Sequence, residues 1–215
     1  MFHALNRANI GLTLFESDGD YAAFEKVLDE ARERTGIRLL DYALMPNHWH
    51  LVLWPETDDQ VTAFMGWLTL THTRRWHLAH SSVGGGHVYQ GRFKSVPVQD
   101  DNHLLRLCRY VERNPLRAGL CERAEEWRWS SLWRRTSGDA AARELLSDWP
   151  VEPPANWLEL VNEPQSEAEL EALRHSLLRG RPYGDAAWVV KAAAALGLGS
   201  TLRLPGRPRK GTEVS

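Results

Sequence analysis

The chain opens on a short run of strand-type residues, 2–8, then passes into a segment whose apolar positions Phe24, Val27, Leu28 and Ala31 recur at helical spacing. Asp18 or Asp20 is placed to cap this helix, which runs to about Arg34, and Gly36 ends it. Ile37–Leu44 reads as a strand. Met45-Pro46-Asn47 breaks it, and Trp49–Trp54, bounded by Pro55, reads as a second. The break predicts a hairpin, or one strand bent by a bulge. Thr57–His80 fits a long helix with Val61, Phe64, Met65, Leu68 and Thr71 on one side. Ser81–Gly86 is a flexible loop, Arg92–Gln99 a strand, and Asp100 or Asp101 caps a helix to about Asn114, where Pro115 stops it.

The order strand, helix, strand, strand, helix, strand predicts an α+β fold, a ferredoxin-like βαββαβ core with both helices on one face of an antiparallel sheet. Beyond about residue 135 the pattern weakens. Pro150, Pro153, Pro154 and Pro164 punctuate an acidic stretch, with helices expected over Ser166–Leu178 and Asp185–Leu196. The predicted division is a core over 1–135, a mostly helical extension over 136–202 and a disordered basic tail over 203–215.

With 43% apolar residues in 215, the chain can bury a real core. No apolar run approaches the roughly 20 residues that span a bilayer. The first residues, MFHALNRANIGL, are polar where a signal peptide is apolar, so a cytoplasmic location is expected, away from membranes. Two cysteines, Cys108 and Cys121, make neither a disulfide framework nor a four-cysteine zinc site. The net charge of −2 hides an asymmetry: −6 over 1–70, +6 over 71–135, −7 over 136–175 and +5 over 176–215. Near-neutrality therefore does not exclude a polyanionic partner.

His48-Trp49-His50 is the sharpest local feature. Residues two apart on a strand share a face, so the two imidazoles make half of a transition-metal site. Leu51 and Leu53 are expected to continue that face as apolar. In RYVERNPLRAGL, 109–120, Tyr110 and Asn114 lie four apart on one helical face. Asn offers a carbonyl oxygen to a hard metal and Tyr a phenol that can act as a nucleophile. Arg106, Arg109, Arg113 and Arg117 recur as a basic stripe; the same spacing also suits an ordinary amphipathic helix with its arginines in water.

In GHVYQGRFKSVPV, 86–98, Tyr89 and Phe93 suit base stacking, and Arg92 and Lys94 suit phosphate contacts. The terminal GRPRK, with Arg207, Arg209 and Lys210, has the form of an Arg-Pro-Arg minor-groove hook. There is no P-loop, GxGxxG or GxSxG, so nucleotide-dependent and α/β-hydrolase readings have no foothold.

Taken together, LNRAN at 5–9, DYAAFEKVL at 20–28, LMPNHWHLVLWP at 44–55, GRFKS at 91–95, RYVERNPLRAGL and WSS at 129–131 resemble the HUH single-tyrosine transposases, in the branch of REP-associated tyrosine transposases. The blocks span residues 3–133. The resemblance implies Tyr110 as nucleophile, and His48, His50 and Asn114 as ligands of Mg²⁺ or Mn²⁺. It further implies single-stranded DNA with a REP-type hairpin as partner, a 5′-phosphotyrosine intermediate, a nucleoid-associated location and a monomer or homodimer. Arg92, Lys94, Arg109, Arg113, Arg117 and the tail residues are the expected DNA contacts. Two rivals are a hairpin-binding protein that has lost catalysis and a metal enzyme acting on small molecules. The intact His48, His50, Tyr110 and Asn114 oppose the first, the basic segment 71–135 the second.

Overall fold

The computed structural model describes residues 1–203. Four strands, β1 (Phe2–Arg7), β2 (Arg38–Met45), β3 (His48–Trp54) and β4 (Lys94–Pro97), form one sheet in the order β2-β3-β1-β4, antiparallel throughout. With α1 (Asp18–Thr35) and α2 (Gln60–Ala79) this is the expected ferredoxin-like core. The α1 N-cap is Ser17, not Asp18 or Asp20. Asp20 reaches back to accept the Glu16 and Ser17 amides at 3.0 and 2.9 Å. Gly36 closes the helix in the left-handed conformation, φ 69°.

Strand alternation divides the core in two. Trp49, Leu51 and Leu53 pack with Phe24, Leu28, Phe64 and Leu68 under α1 and α2. Val52 faces the other way, against Leu104, Leu107 and Val111 of α3 (Asn102–Glu112). Leu51 and Leu53 therefore do not continue the face of His48 and His50, because a two-residue period puts odd and even positions on opposite sides. The histidine face is the α3 side of the sheet.

Pro115 does not stop the chain as expected. It sits in the first turn of a second short helix, α4 (Asn114–Arg117), where its missing N–H costs little. Helical turns carry on across it, with Arg117 N–H donating to Arg113 O at 2.9 Å.

Both sheet edges are covered by later chain. Leu44 N–H donates to Trp129 O at 2.9 Å, and the Tyr42 N–H donates to Ser131 Oγ at 3.1 Å, so the WSS block lies along β2. Tyr183 bridges Val98 beyond β4. α5 (Ser131–Thr136) closes the core, and the extension comprises α6 (Ala140–Arg143), α7 (Trp157–Asn162), α8 (Glu167–Arg179) and α9 (Ala186–Ala195). Its Leu170, Leu173 and Tyr183 join the same core cluster as α3. The tail residues Arg207, Arg209 and Lys210 lie outside the described residues.

Candidate active site

β1, β3, α3 and α4 converge on a cleft of about 560 Å³. Its floor is a pleat: register pairs Leu5 with His50 and Arg7 with His48, so His3, Leu5 and Arg7 of β1 share the face of the two motif histidines. Tyr110 stands over them from α3, its ring edge-on to His50 with centroids 5.7 Å apart. His48, His50, Tyr110 and Asn114, far apart in sequence, all line this one cleft.

The imidazoles are prepared as neutral donors. Burial, aided by the nearby charges of Arg7 and Arg117, pushes His48 down to about 4. Burial also holds His50 well below the usual histidine range. His48 Nδ1 lies 2.7 Å from Asn47 Oδ1. An amide oxygen only accepts, so the proton is on Nδ1 and the Nε2 lone pair is free. His50 Nδ1 lies 2.9 Å from His3 Nε2, inside the core. A proton on His50 Nδ1, shared toward His3, leaves His50 Nε2 in the same state.

Asn114 is 4% exposed. Its Oδ1 accepts from Arg117 Nη2 at 2.8 Å, while its Nδ2 is buried without a partner. The Arg117 guanidinium also lies over the Tyr110 ring, 4.5 Å from its centroid. Two neutral imidazoles and an amide oxygen, which keeps a second lone pair beside its bond to Arg117, suit a divalent ion. Among the described residues no group of three or more His, Cys, Asp or Glu stands ready for a metal.

The expected DNA contacts divide. Arg92, Lys94 and Arg117 line the cleft. Arg109 and Arg113 do not. Arg109 donates to the carbonyls of Leu160 and Glu163, and Arg113 to those of Val161 and Asn162, at the C-terminal end of α7. Each precedes a cleft residue by one position, and one helical residue turns the side chain by about 100°. The two arginines thus face the extension while Tyr110 and Asn114 face the cleft. Tyr89 does not line the cleft either. It is 8% exposed, and its hydroxyl bridges Trp49 Nε1 and His72 Nδ1 beneath the sheet, so no base can stack on it.

Sequence reasoning missed His3, Arg7 and Gln90, which complete the site. The period-two run His3, Leu5, Arg7 was the available signal. The charge asymmetry misled in part. Arg75 and Arg134 of the basic segment are paired with Glu30 and Glu25, whereas Arg7, from the acidic first third, faces the cleft. Among the described residues no aspartate or glutamate lines the cleft.

Comparison with known proteins bears on the family and the fold. A protein of Haemophilus influenzae (strain Rd), provisionally named a REP-associated tyrosine transposase, is 24% identical over 138 residues, covering 60% of this chain and 76% of its own. The solved structure of a REP-associated tyrosine transposase bound to a REP hairpin superposes with a TM-score of 0.52 at 19% identity, over 70% of this chain and 84% of that one. Likeness at that identity establishes the fold. The family model described as "Transposase IS200 like" matches residues 1–114, just over half of the chain. The chain therefore belongs to the IS200-like transposase family.

Proposed function

We propose that this protein cleaves and rejoins single-stranded DNA at REP-type hairpins through a covalent link on Tyr110. The observation that carries the reading is the convergence of Tyr110, two imidazoles held neutral by burial and four cations in a cleft that no carboxylate lines among the described residues. A phosphodiester is the substrate such a cleft suits, because developing phosphoryl charge meets only donors.

In this reading Arg7, Arg92, Lys94 and Arg117 hold the strand by its phosphates. The Tyr110 oxygen bonds to phosphorus in line and loses its proton. The phosphorus–3′-oxygen bond breaks, and the released 3′-oxygen gains a proton. The product is a 5′-phosphotyrosine, which a later 3′-hydroxyl can attack to restore the phosphodiester. His48, His50 and Asn114 would hold Mg²⁺ or Mn²⁺, which supplies Lewis-acid polarisation of a non-bridging phosphate oxygen. Arg117 links the two halves of the site, since it touches both the nucleophile's ring and the amide of Asn114.

The test is a denaturing gel. The protein is mixed with labelled hairpin DNA from repeats flanking its own gene, with Mn²⁺ or Mg²⁺, beside a Tyr110→Phe variant. A slow-migrating, protease-sensitive adduct made only by the intact protein is the expected result. An adduct retained in Tyr110→Phe would sink the nucleophile assignment. Hairpin binding with no adduct under either metal would favour a binding protein without turnover.

A further inference from the structure

Arg106 is the one arginine of the α3 stripe whose guanidinium neither the cleft nor α7 takes up. It lines a separate hollow of about 680 Å³, larger than the cleft, on the other side of α8. Ala168, Ala172, His175 and Ser176 turn one face of α8 to this hollow, whereas Leu177 turns to the cleft. The far wall is the loop Arg181–Gly184, and Val189 of α9 closes it. That loop is fixed in place. Arg181 N–H donates to Ser176 O at 3.0 Å, Ser176 Oγ donates to Arg181 O at 2.5 Å, and Tyr183 N–H donates to Pro97 O at 2.8 Å.

The ion pairs among the described residues include neither Arg106 nor Arg181. The Arg106 guanidinium lies beside the Tyr183 hydroxyl. The His103 ring stands edge-on to the same tyrosine, with centroids 5.2 Å apart. Three carboxylates stand close by: Glu169 on the lining, Asp101 bonded to His103, and Asp185 next to Gly184. Each is spent on a helix cap. Asp101 accepts the His103 amide at 2.7 Å, Glu169 accepts the Ser166 amide and hydroxyl at 3.1 Å, and Asp185 accepts the Trp188 amide at 2.8 Å. Two guanidiniums left without a counter-ion in a concave site favour an anion, and their fork matches phosphate oxygens. A continuous nucleic-acid strand would bring further phosphates against the three carboxylates, at a cost in affinity. A small ligand avoids that cost. The volume far exceeds one phosphate and falls in the range of small-molecule sites, so the small side chains Ala168, Ala172 and Pro182 leave room for an organic body.

We propose that this hollow is a binding site for a small phosphomonoester, with Arg106 and Arg181 as its phosphate contacts and the Ala168–Ala172 face of α8 beneath its organic body. The site is separate from the cleft at Tyr110 and gives the extension a ligand of its own.

Calorimetric titration of the full chain, without metal or DNA, tests this. The probes are inorganic phosphate, ribose 5-phosphate and adenosine 5′-monophosphate. All three should saturate, the two esters more tightly than inorganic phosphate. Arg106→Gln and Arg181→Gln should each weaken all three by about tenfold or more, the loss of one charge-assisted contact. Ala172→Leu keeps every charge and fills the floor, so it should weaken the esters more than inorganic phosphate. These three positions are exposed or half-buried, so the fold survives the changes. Arg92→Gln, in the cleft, should leave every affinity unchanged. No saturation below about 10 mM with any probe overturns the site. So does binding that Arg92→Gln abolishes, or that persists unchanged in Arg106→Gln and Arg181→Gln. Equal affinity for all three probes overturns the organic body and with it the ligand class. None of these readouts involves Tyr110, so the site can fail while the strand-cleavage reading stands.

Discussion

His3 Nε2 and His50 Nδ1 meet at 2.9 Å within the core, their rings stacked 5.1 Å apart, and His3 is fully buried with its own Nδ1 unpartnered. Burial pushes His3 down to about 3, so it stays neutral and offers His50 a neutral partner instead of the carboxylate common behind metal-bound histidines. Its effect is to orient the His50 ring. Replacing His3 by Phe should therefore lower Mn²⁺ affinity by about tenfold or more. His3→Gln, which keeps a hydrogen-bonding end, should recover part of it. Calorimetric titration of Mn²⁺, run beside thermal unfolding of the metal-free proteins, separates this from a packing defect. Equal Mn²⁺ affinity in all three would remove His3 from the site's support.

The arginines of α3 and α4 should part company on mutation. Arg117→Ala should weaken hairpin binding and reduce its salt slope by about one, as expected for the loss of one phosphate contact. Arg109→Ala and Arg113→Ala should leave hairpin affinity within about twofold. Their cost should appear as stability, on the order of 1–3 kcal/mol each, because each removal strands carbonyls at the end of α7. Differential scanning calorimetry and a salt series on the three variants check both halves. Loss of hairpin affinity in Arg109→Ala without loss of stability would contradict the placement.

Acid should act through His72, away from the cleft. It is 4% exposed, bonded through Nδ1 to the Tyr89 hydroxyl at 2.7 Å and pushed by burial to about 3. Its folded value lies below the unfolded value of about 6.5, so the unfolded chain binds the extra proton. This contribution is therefore fully present above pH 6.5 and is lost progressively as pH falls from there toward 3. At pH 5 the loss from this one group is about 2 kcal/mol, taking 1.5 units at 1.36 kcal/mol each. Urea unfolding of the intact protein and of His72→Gln, at pH 7 and pH 5, should show a smaller pH effect in the variant. An identical pH effect in both would exclude His72 as the source.

Much of the fold was legible because short-range signals agreed with one another. The apolar spacing Phe24, Val27, Leu28, Ala31 and the break at Pro46-Asn47 each marked an element that formed, and the strand–helix order carried the topology. The site was half legible. His48, His50, Tyr110 and Asn114 stand in short spacings that a strand and a helix convert directly into shared faces. What was not legible depends on rotation and on distant chain. Arg109 and Tyr110 are neighbours in sequence yet face opposite partners, and periodicity alone cannot say which side of α3 the extension will occupy. The contacts of Arg7 and His3 with the site depend on strand pairing across more than 40 residues. The part played by WSS as an edge cover is likewise a long-range fact, set by the Tyr42 amide meeting Ser131.

The clamp of Arg109 and Arg113 on α7 also bears on how this chain tolerates change. One helix presents Tyr110 to the cleft on one side and grips the extension on the other, so a cut or deletion in the surface segment leading to α7 is felt at Tyr110. Trimming back to residue 135 would strip the ceiling from Leu104 and Leu107 and leave two guanidiniums reaching for nothing. Insertions into this protein belong elsewhere, in the Ser81–Gly86 loop, where the chain carries no comparable burden.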